Sequence, residues 1–425
     1  MKLDYSTPKG QGIMSKKVLV VGGGAAGLLA AAEAAKNGAD VTVAERNERP
    51  ARKVMITGKG RCNVTNCCTM LNELVAAVPE NGRFLSGAFS RFMPADTMEL
   101  FESLGVELKV ERGNRVFPVS DKACDIVDAL VKNAVRSGAK IIHERVSSLI
   151  IEDGTILGAV FESGEKFFCN SVIVATGGVS YPLTGSTGDG YEFAKQAGHN
   201  IIEPAPSLVP LVCHEGFCSD LQGLSLRNIE ISVINTENYR EVYRDFGEML
   251  FTHFGVSGPV ILSASAHLKD IKPGKYEIHI DLKSALSYEQ LDARVQRDFL
   301  ECSNKNFINA LDKLLPKKIV PVVVRLTGVK PSTKVNQVTR EQRARLVNVL
   351  KDLKVTVLRT RPVEEAIITR GGVDTKQIDP KTMQSKLVSG LFFAGEVIDV
   401  DAYTGGFNLQ IAFSTGHLAG LCAAQ

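Results

Sequence analysis

The hydrophobic and polar positions near the start of the chain follow a strand, helix and strand pattern. Residues 18–21 form a continuous apolar run, which is typical of a strand buried on both faces. A glycine-rich segment, Gly22–Gly27, leads into an alanine-rich stretch that predicts a helix ending near Lys36. A second strand is predicted over Asp40–Ala44 and is followed by Glu45. The pattern therefore predicts a βαβ unit at the start of a parallel sheet.

A different pattern occupies the middle of the chain, from about residue 204 to residue 346. Residues 229–234 and 276–282 alternate apolar and polar side chains, which predicts antiparallel strands. Residues 287–316 are polar with spaced apolar positions, which is typical of one or two helices, and Ser287 with Gln290 resembles a capping box. The middle of the chain is therefore predicted to be a β-rich insertion with a small helical subdomain.

Composition and charge are ordinary for a soluble globular protein. A chain of 425 residues is longer than one ordinary hydrophobic core accommodates, so more than one domain is expected. Its content of 44% hydrophobic and 23% charged residues excludes a disordered chain. The net charge of +3 excludes a chain built throughout as a polycation. Residues 1–13 are expected to be a loose leader without the apolar core of a signal peptide, and residues 18–32 are too short to span a bilayer. The nine cysteines, an odd number, fit a reducing cytoplasm, so we expect a cytoplasmic protein without membrane contact.

The glycine-rich segment has the spacing G-x-G-x-x-G at Gly22, Gly24 and Gly27. In this pattern the first glycine makes a tight turn, the second lets the backbone approach a pyrophosphate, and the third lets helix and strand pack closely. The helix N-terminus then offers unpaired N–H groups to the phosphates. Glu45 can accept hydrogen bonds from a ribose diol and would repel a 2′-phosphate. A nucleotide site is predicted here, and the alternative is a structural glycine turn.

Two later apolar runs favour FAD over NAD. Residues 171–178 (SVIVATGG) resemble the segment that returns to the FAD-binding sheet in flavoproteins with two dinucleotide-binding folds. Residues 390–396 (GLFFAGE) end in Glu396, and in such flavoproteins this acid meets the ribityl chain or pyrophosphate region. No second G-x-G-x-x-G follows a strand. The sequence therefore predicts FAD, bound by a domain assembled from both ends of the chain, and no dedicated NAD(P) domain.

Three longer motifs carry a family resemblance. Residues 53–66 (KVMITGKGRCNVTN) resemble the K-x-x-x-S/T-G-x-G-R-C-N-x-T-N segment of the BaiN-like flavoproteins, also called the aminoacetone-oxidase-like family. Residues 247–259 (GEMLFTHFGVSGP) and 403–410 (YTGGFNLQ) agree with the same family, and the motifs follow the family order from Val18 onward. The resemblance implies an α/β fold class, with a Rossmann-like FAD-binding domain of the two-dinucleotide-fold type and an inserted β-rich domain with a small helical subdomain.

The expected domain boundaries follow from these patterns. The first part of the FAD-binding domain is predicted over residues 14–203, and the second part over residues 347–425. The inserted substrate domain is predicted over residues 204–346, with its helical subdomain at about residues 287–316.

Two glycine-containing loops are predicted to act on the cofactor. Residues 57–61 form a cationic, amide-rich loop that can neutralise a pyrophosphate or an anionic reduced flavin. Residues 404–406 precede an apolar, helix-like segment, and the family implies that its N-terminus stabilises the negative charge of reduced flavin. A plain turn or helix cap is the alternative for both loops. The complete set of residues expected to bind FAD is Gly22, Gly24, Ala25, Ala26, Gly27, Glu45, Arg46, Lys53, Thr57, Gly60, Arg61, Cys62, Asn63, Val146, Ala175, Thr176, Gly177, Gly395, Glu396, Gly406, Phe407, Asn408 and Leu409.

The candidate catalytic residues are His253, Cys62 and Tyr403, and no metal site is predicted. A histidine in an aromatic and glycine-rich loop can act as an acid or base near neutral pH, although a loop histidine bonded to backbone is an equal alternative. Cys62 and Cys67 have the C-x₄-C spacing of disulfide reductases. A missing second nucleotide fingerprint and the absence of a His-Pro pair near the C-terminus argue against that chemistry.

The predicted function is that of an oxidoreductase with noncovalent FAD, which transfers a hydride to or from a small organic substrate. The resemblance implies either oxidation of an amine with O₂ or reduction of a conjugated carbon–carbon double bond, with NAD(P)H as a transient electron donor. The alternatives are a flavin disulfide oxidoreductase that uses Cys62 and Cys67, and a non-enzymatic, FAD-bearing RNA-binding or sensor protein.

The RNA-binding alternative depends on one basic segment. Residues 313–354 contain eleven Lys or Arg residues and two acids. Such a run is usually the solvated face of helices. No aromatic residues are interleaved with the cations as in RNA-binding modules, so the sequence favours the solvated face over a nucleic-acid partner.

Overall fold

The computed structural model describes residues 15–425, so the expected leader, residues 1–13, lies outside the described residues. Contacts divide the described chain into two units. The first unit contains residues 15–204 and 370–425, and the second unit contains residues 205–369. The first unit is therefore assembled from two separate parts of the chain, whereas the second is continuous.

Strands and helices of the described residues are numbered here in chain order. The strands are β1 (Lys17–Val21), β2 (Asp40–Glu45), β3 (Thr65–Asn66), β4 (Leu108–Glu111), β5 (Arg115–Pro118), β6 (Lys140–His143), β7 (Val146–Glu152), β8 (Thr155–Phe161), β9 (Lys166–Phe168), β10 (Ser171–Val174), β11 (Ile201–Ser207), β12 (Leu211–Cys213), β13 (Ser225–Asn235), β14 (Arg240–Thr252), β15 (Gly255–Ser257), β16 (Tyr276–Asp281), β17 (Leu353–Thr360), β18 (Ile368–Val373) and β19 (Leu391–Phe393). The helices are α1 (Ala25–Lys36), α2 (Arg52–Ile56), α3 (Leu71–Ala76), α4 (Ser86–Arg91), α5 (Pro94–Ser103), α6 (Ala123–Arg136), α7 (Asp189–Gln196), α8 (Phe217–Asp220), α9 (Pro259–Ser265), α10 (Tyr288–Glu301), α11 (Val320–Thr327), α12 (Arg340–Lys351) and α13 (Phe407–Ala423). None of these helices is long and apolar enough to cross a bilayer.

A parallel five-stranded sheet forms the centre of the first unit. Its strand order is β19-β10-β1-β2-β6, and every neighbouring pair runs in the same direction. The predicted strands at residues 18–21 and 40–44 correspond to β1 and β2, whose interior positions are buried. In α/β sheets of this kind, ligands bind at the carboxyl ends of the strands. The Rossmann-like part of the predicted fold class is confirmed.

The backbones of helices α1 and α13 are in direct contact. A Cβ atom added to Gly416 would lie 2.4 Å from the carbonyl oxygen of Ala26, and one added to Gly420 would lie 2.2 Å from that of Ala30. Both contacts advance by four residues, so the two helices run parallel. The same register places Thr415 beside Ala25, the first residue of α1. Thr415 is eight positions after Phe407, the first residue of α13. At 1.5 Å per residue, the N-terminus of α13 therefore extends about 12 Å beyond that of α1.

A closed antiparallel barrel forms the core of the second unit. Its strand order is β12-β15-β14-β13-β16-β17. The alternation predicted at residues 229–234 and 276–282 is confirmed, since Ile229, Ile231 and Val233 are buried in β13 and the apolar positions of β16 are buried in the same way. This barrel is the inserted β-rich domain of the predicted fold class, which the structure confirms.

Three helices, α10, α11 and α12, add a helical part to this unit. The capping box predicted at the start of α10 is confirmed, because the Gln290 N–H donates to Ser287 Oγ (3.2 Å) and the Ser287 N–H donates to Gln290 Oε1 (3.0 Å). The buried face of α10 carries Leu291, Val295 and Phe299. The helices continue to Lys351, well beyond the predicted limit near residue 316.

The second unit also ends later than predicted. Residues 347–369 were expected in the FAD-binding domain, but the structure assigns them to the second unit. The reason is β17, which pairs with β12 and β16 and so closes the barrel. Its inward positions, Leu353, Val355 and Val357, are buried in the core of that unit.

The close approach of α1 and α13 gives the first prediction. Gly420→Ala in a helix interior would ordinarily stabilise by about 1 kcal/mol. Here the added methyl would overlap the carbonyl of Ala30, so we expect a loss of about 1–3 kcal/mol in the free energy of unfolding. Urea unfolding followed by circular dichroism measures it, and a variant as stable as the parent would contradict the packing described.

Candidate functional site

The turn after β1 is shaped by three glycines. Gly22 has a φ of +100°, and a Cβ there would lie 2.7 Å from the carbonyl oxygen of Ala175. A Cβ on Gly27 would lie 1.9 Å from the carbonyl oxygen of Gly22. Gly24 differs from both, because a Cβ there would meet no atom within 4 Å. The N-terminus of α1 thus has the room beside it that a pyrophosphate needs.

Glu45, at the end of β2, holds this turn in place. The carboxylate is buried, with 7% of the residue exposed. Its Oε2 accepts a hydrogen bond from the N–H of Gly23 (2.7 Å), and its Oε1 accepts from the N–H and the side-chain amide of Asn47 (2.8 and 2.7 Å). A carboxylate offers about four acceptor positions, so one remains for a ribose hydroxyl. The sequence analysis predicted Glu45 but missed its partner Asn47.

The end of β10 lies beside the same turn. The N–H of Ala175 donates to the carbonyl of Val21 (2.9 Å), which joins the ends of β10 and β1. The hydroxyl of Thr176 is buried without a hydrogen-bond partner in the described part of the chain. Gly177 has a φ of +75° and starts the loop that follows. The unpaired hydroxyl is a group that a bound ligand would satisfy.

Arg46 and Val146 lie at the edges of this region. Arg46 donates from Nη1 to the hydroxyl of Thr187 (2.7 Å) and lies 3.7 Å from Asp189. Arg145 binds Asp189 through two hydrogen bonds of 2.9 and 3.0 Å, a pair that the sequence analysis missed. Val146 is buried at the start of β7. The structure therefore ties Arg46 to the loop that follows Gly177.

Lys53 and Glu396, both predicted to bind FAD, form an ion pair. Nζ of Lys53 lies 2.7 Å from the Glu396 carboxylate and donates to the hydroxyl of Ser180 (2.6 Å). Gly395, next to Glu396, approaches α1 so closely that a Cβ there would lie 2.9 Å from the Cβ of Ala26. The pair therefore places two opposite charges close to the α1 N-terminus, with little net charge.

The loop at residues 57–62 is held in an unusual backbone conformation. Gly58, Lys59, Gly60 and Cys62 all have φ between +57° and +82°. Two of them are not glycine, and such left-handed residues persist only where surrounding contacts hold them. Thr57 contributes by donating from its hydroxyl to the carbonyl of Val54 (2.7 Å).

Arg61 is engaged by acidic side chains in the structure. Its guanidinium binds the carboxylates of Glu111 and Asp121 and lies 4.2 Å from the ring centre of Phe117. The sequence analysis expected this charge to neutralise a pyrophosphate or flavin. In the structure two carboxylates compensate this charge and anchor the loop on β4 and on the segment after β5, and a role of Arg61 toward a pyrophosphate or flavin stays a prediction.

Cys62 is fully buried, and burial raises the pKa of its thiol to about 12. A thiolate is the form that attacks disulfides, so such a thiol is a poor redox nucleophile. Cys62 and Cys67 are both free cysteines. These observations argue against the disulfide oxidoreductase alternative and give Cys62 a packing role.

Two motifs that are far apart in sequence are hydrogen-bonded to each other. In the amide orientation that satisfies its neighbours, Asn63 accepts from the N–H of Gly406 (3.0 Å). Asn66 donates to the carbonyl of Gly405 (3.2 Å), and Thr65 donates to the side-chain carbonyl of Gln410 (2.6 Å). The segment at residues 63–66 therefore fixes the start of α13.

The backbone N–H groups at the N-terminus of α13 are not capped by a side chain. Its N-cap, Gly406, has a φ of +100° and makes no side-chain cap, and the first turn contains no acid. Gly24, the N-cap of α1, likewise makes no side-chain cap, and the first turn of α1 likewise contains no acid. Asn408 turns back to bind the N–H and carbonyl of Ala402, both at 2.8 Å, and so shapes the loop before α13. Phe407 and Leu409 are half-buried in the same turn.

The remaining catalytic candidates lie in different units. Tyr403 is half-buried in the first unit, three residues before the N-cap of α13, and its N–H donates to the carbonyl of Ala77 (3.0 Å). His253 is exposed in the turn between β14 and β15 of the second unit, with its ring 4.9 Å from that of Phe254. Within the described residues, no group of three or more His, Cys, Asp or Glu side chains is arranged to hold a metal ion.

Gln410 is the residue of this region whose role sequence reasoning missed. It is fully buried, accepts from Thr65 and Thr97, and donates to the carbonyl of Phe92 (3.0 Å) and to Ser414 (3.0 Å). A glutamine inside a largely apolar helix without Lys, Arg, Asp or Glu was the available signal. Its hydrogen bonds hold the first turns of α13 against the elements around β3.

The room beside Gly24 gives the second prediction. Gly24→Val should fold, because its φ of −79° suits any residue and a Cβ there meets no atom within 4 Å. We expect the variant to lose FAD, since the side chain fills the space that the pyrophosphate requires. Flavin absorbance after dialysis against FAD, with the unfolding midpoint, measures both effects.

Gly216→Val is the matched control, because Gly216 is exposed in the second unit, has a φ of −61° and also has no atom near its Cβ position. The control should keep its full complement of FAD. A Gly24→Val protein that folds and binds FAD as the parent does would exclude this turn as the nucleotide site.

Comparisons with known proteins agree with this geometry. Among curated proteins, a 3-dehydro-bile acid delta(4,6)-reductase of Clostridium scindens is 30% identical over 415 residues, which cover 96% of this chain and 99% of the relative. A ribosomal RNA dihydrouridine synthase of Haemophilus influenzae is 32% identical over 414 residues, which cover 96% and 98%. A ribosomal RNA dihydrouridine synthase of Escherichia coli is also 32% identical, over 404 residues that cover 93% and 95%.

A solved structure and a family profile complete the comparison. The 3-ketosteroid-delta4-(5alpha)-dehydrogenase of Rhodococcus jostii RHA1 has a TM-score of 0.53 and 16% identity, covering 97% of this chain and 98% of that chain, which shows a shared fold. The profile described as the HI0933-like protein Rossmann domain matches residues 16–422. Because this match spans nearly all of the chain, the protein belongs to the HI0933-like family, and the flavoprotein resemblance of its motifs is confirmed.

Proposed function

We propose that this FAD-dependent oxidoreductase reduces a carbon–carbon double bond that is conjugated to a carbonyl group, with NAD(P)H as the hydride donor. The staggered pair of open helix N-termini, α1 and α13, is the observation that carries the proposal. When bound, FAD supplies the transfer of a hydride from the donor to the substrate.

The names of the full-length relatives share one reaction type. A 3-dehydro-bile acid delta(4,6)-reductase acts on double bonds that are conjugated to a 3-ketone. A dihydrouridine synthase saturates the C5–C6 bond of uridine, which is conjugated to the C4 carbonyl. Both reactions add a hydride to the carbon distant from the carbonyl and a proton to the carbon beside it. The carbonyl is common to both substrates, although a steroid and a nucleobase otherwise differ.

The two helix N-termini suit the two charged parts of the cofactor. The first turn of α1 lies beside the glycine turn, where it would bind the pyrophosphate. The start of α13 lies about 12 Å farther along the same direction, and its first turn would hold the flavin ring. An uncapped N-terminus without acids stabilises negative charge, which is what the ring gains on reduction. Asn63, Thr65 and Asn66 hold this N-terminus in position.

Tyr403 is the chain's best candidate for the proton donor. It is half-buried in the loop that leads into α13, and Asn408 accepts from and donates to the backbone at the start of this loop. A phenol in this position would hold a proton for the carbon beside the substrate carbonyl. Lys53 and Glu396 would orient the cofactor as a neutral pair.

Oxidation of an amine with O₂ remains the second enzymatic direction that the resemblance implies. The reductase direction is favoured because the relatives that match over their full lengths are named for reducing such a double bond or for the dihydro product that this reduction gives. Disulfide chemistry is disfavoured by the buried, high-pKa thiol of Cys62.

The third prediction tests the reaction. Purified protein with FAD should bleach under anaerobic conditions on addition of NADH or NADPH. The reduced protein should recover its oxidised spectrum on addition of a 3-keto-4,6-diene bile acid or a uridine-containing RNA, with a gain of two hydrogens in the product by mass spectrometry. A flavin that ignores both donors and is reduced by an amine, with peroxide formed in air, would contradict the proposal.

The fourth prediction concerns Tyr403. Tyr403→Phe should slow reoxidation by the unsaturated substrate by about 10²-fold or more, because the proton donor is lost. The rate of flavin reduction by NAD(P)H should stay within about twofold, since no proton is delivered to carbon in that half-reaction. Stopped-flow absorbance separates the two rates. Tyr239→Phe, at an exposed hairpin tip of the second unit, is the control, and equal slowing of both half-reactions in Tyr403→Phe would exclude the proton-donor role.

A further inference from the structure

The turn between β4 and β5 lies beside the start of α13. The side-chain amide of Asn66 donates to the carbonyl of Gly113 in this turn (3.1 Å) and to the carbonyl of Gly405 (3.2 Å). In the amide orientation that satisfies its neighbours, Asn63 donates to the carbonyl of Val116 (3.2 Å) and accepts from the N-cap N–H of α13 (3.0 Å). Two asparagines therefore join the β4–β5 hairpin to the loop that begins α13.

Arg115 lies on the same face of this hairpin as Asn66. The two residues are direct partners where β3 pairs with β5, and the side chains of opposed residues lie on one face of a sheet. Nε of Arg115 donates to the carbonyl of Arg112 (2.9 Å), and its two Nη atoms make no hydrogen bond with the described residues. Arg112 is exposed in the turn itself. The end of the hairpin beside α13 therefore carries two arginines.

Lys59 adds a third cation next to this face. It is exposed in the left-handed loop, and no carboxylate of the described residues lies within ion-pair distance of it. The loop lies on β5, because a Cβ added to Gly58 would lie 3.3 Å from the ring of Phe117. Phe117 follows Arg115 by two positions in the strand, so both side chains are on one face. Lys59, Arg112 and Arg115 are termed the hairpin cations.

The acids near the hairpin are bound by other cations. Arg61 binds the carboxylate of Glu111, and Lys109 lies 2.8 Å from the carboxylate of Asp121. The hydrogen bond from Arg61 lowers the pKa of Glu111, and the charges of Lys109 and Arg115 lower it further. Arg115 therefore shares one carboxylate with two other cations, and positive charge remains in excess beside the start of α13.

A dinucleotide electron donor needs a site that the nucleotide fingerprint does not supply. The chain has one G-x-G-x-x-G after a strand, and that turn would bind the pyrophosphate of FAD. The hairpin cations lie at the other helix N-terminus, about 12 Å farther along the helix direction, where the flavin ring would be held. Because a donor must bring its nicotinamide to this ring, cations around the ring are in a position to meet the donor's phosphates.

We propose that the hairpin cations bind the pyrophosphate of NADH or NADPH while the nicotinamide passes its hydride to FAD. The proposal rests on the proposed function, because it assigns a site to the donor of that reaction. Arginine binds phosphate oxygens through two parallel hydrogen bonds, and the two Nη atoms of Arg115 offer such a pair. The donor leaves as NAD⁺ or NADP⁺ after it has lost the hydride, which suits a site at the surface.

The surroundings of the hairpin cations favour a compact anion over a polyanion. Glu111 and Asp121 flank the cations, and Glu107 is exposed at the open end of the hairpin. A continuous phosphate backbone would meet these acids along its length and be repelled by them. A pyrophosphate carries its charge on two adjacent groups and contacts the end of the hairpin alone.

The test compares two double variants of the full chain with FAD bound. Lys59→Gln with Arg115→Gln removes two hairpin cations, and Lys132→Gln with Arg136→Gln removes two exposed cations from the C-terminal half of α6. Both pairs change the net charge equally. Anaerobic stopped-flow absorbance gives the apparent Kd and the limiting rate of flavin reduction for NADH and for NADPH. Calorimetry with NADP⁺ measures binding at the same site without turnover.

We expect the hairpin variant to weaken the apparent Kd of both donors and of NADP⁺ by about tenfold or more, because charged phosphate contacts are lost. The limiting rate should stay within about twofold, since the contact of nicotinamide with flavin is unchanged. The α6 variant should stay within about twofold of the parent in both quantities. Arg115→Lys keeps the charge and should stay within about threefold.

Two results would overturn the donor site directly. The first is an unchanged Kd in the hairpin variant, or an equal loss in the α6 variant. The second is a loss confined to NADPH, which would assign the cations to its 2′-phosphate and not to the pyrophosphate that both donors share. Lys59→Gln alone replaces the double variant if the latter does not fold or does not retain FAD.

Failure of this inference can be told apart from failure of the proposed function. Protein reduced with dithionite and mixed with a 3-keto-4,6-diene bile acid should reoxidise equally fast in the parent and the hairpin variant. Slower reoxidation with unchanged donor binding would assign the cations to the substrate and overturn the inference. A parent that is reoxidised by the diene but reduced by neither donor would refute the donor site alone. Donor binding that depends on the hairpin cations, without reoxidation by an unsaturated substrate, would refute the reductase proposal alone.

Discussion

The backbone contact between α1 and α13 is the constraint on which the first unit depends. Gly416 and Gly420 allow this contact, because any side chain there would overlap the carbonyls of Ala26 and Ala30. Once the two helices are this close, their relative position along the axis is fixed as well. The packing at Gly416 and Gly420 thus determines the stagger of the two N-termini, and these glycines are not among the groups expected to contact a ligand.

Two of the cations that were expected to bind FAD are paired with acids of the first unit. Lys53 is paired with Glu396, and Arg61 is paired with Glu111 and Asp121. Backbone N–H groups at the starts of α1 and α13 also supply positive potential, and their directions do not depend on mobile side chains. Stabilising charge with fixed dipoles avoids the reorganisation that a flexible lysine or arginine would require.

Local sequence patterns were sufficient for the elements whose partners are close in the chain. The β1–α1–β2 unit and the capping box at Ser287 follow from neighbouring residues. The barrel strand β17 was not predicted, although its apolar positions alternate, because its partners β12 and β16 lie far from it in sequence. The motif residues after Lys53 were recognised, but their pattern could not show that Arg61 binds acids of β4 and of the segment after β5. Nor could it show that Asn63 binds Gly406, since both contacts depend on tertiary structure.

The parallel arrangement of β1, β10 and β19 has a consequence for how the chain folds during synthesis. β19 and α13 belong to the last part of the chain, yet β19 pairs with β10 and α13 packs on α1, the first helix made. The second unit is continuous and can complete its contacts earlier, whereas the apolar face of α1 must wait for α13. Contacts of such long sequence separation form slowly, so the nascent first unit exposes hydrophobic surface for longer and depends more on chaperones than the second.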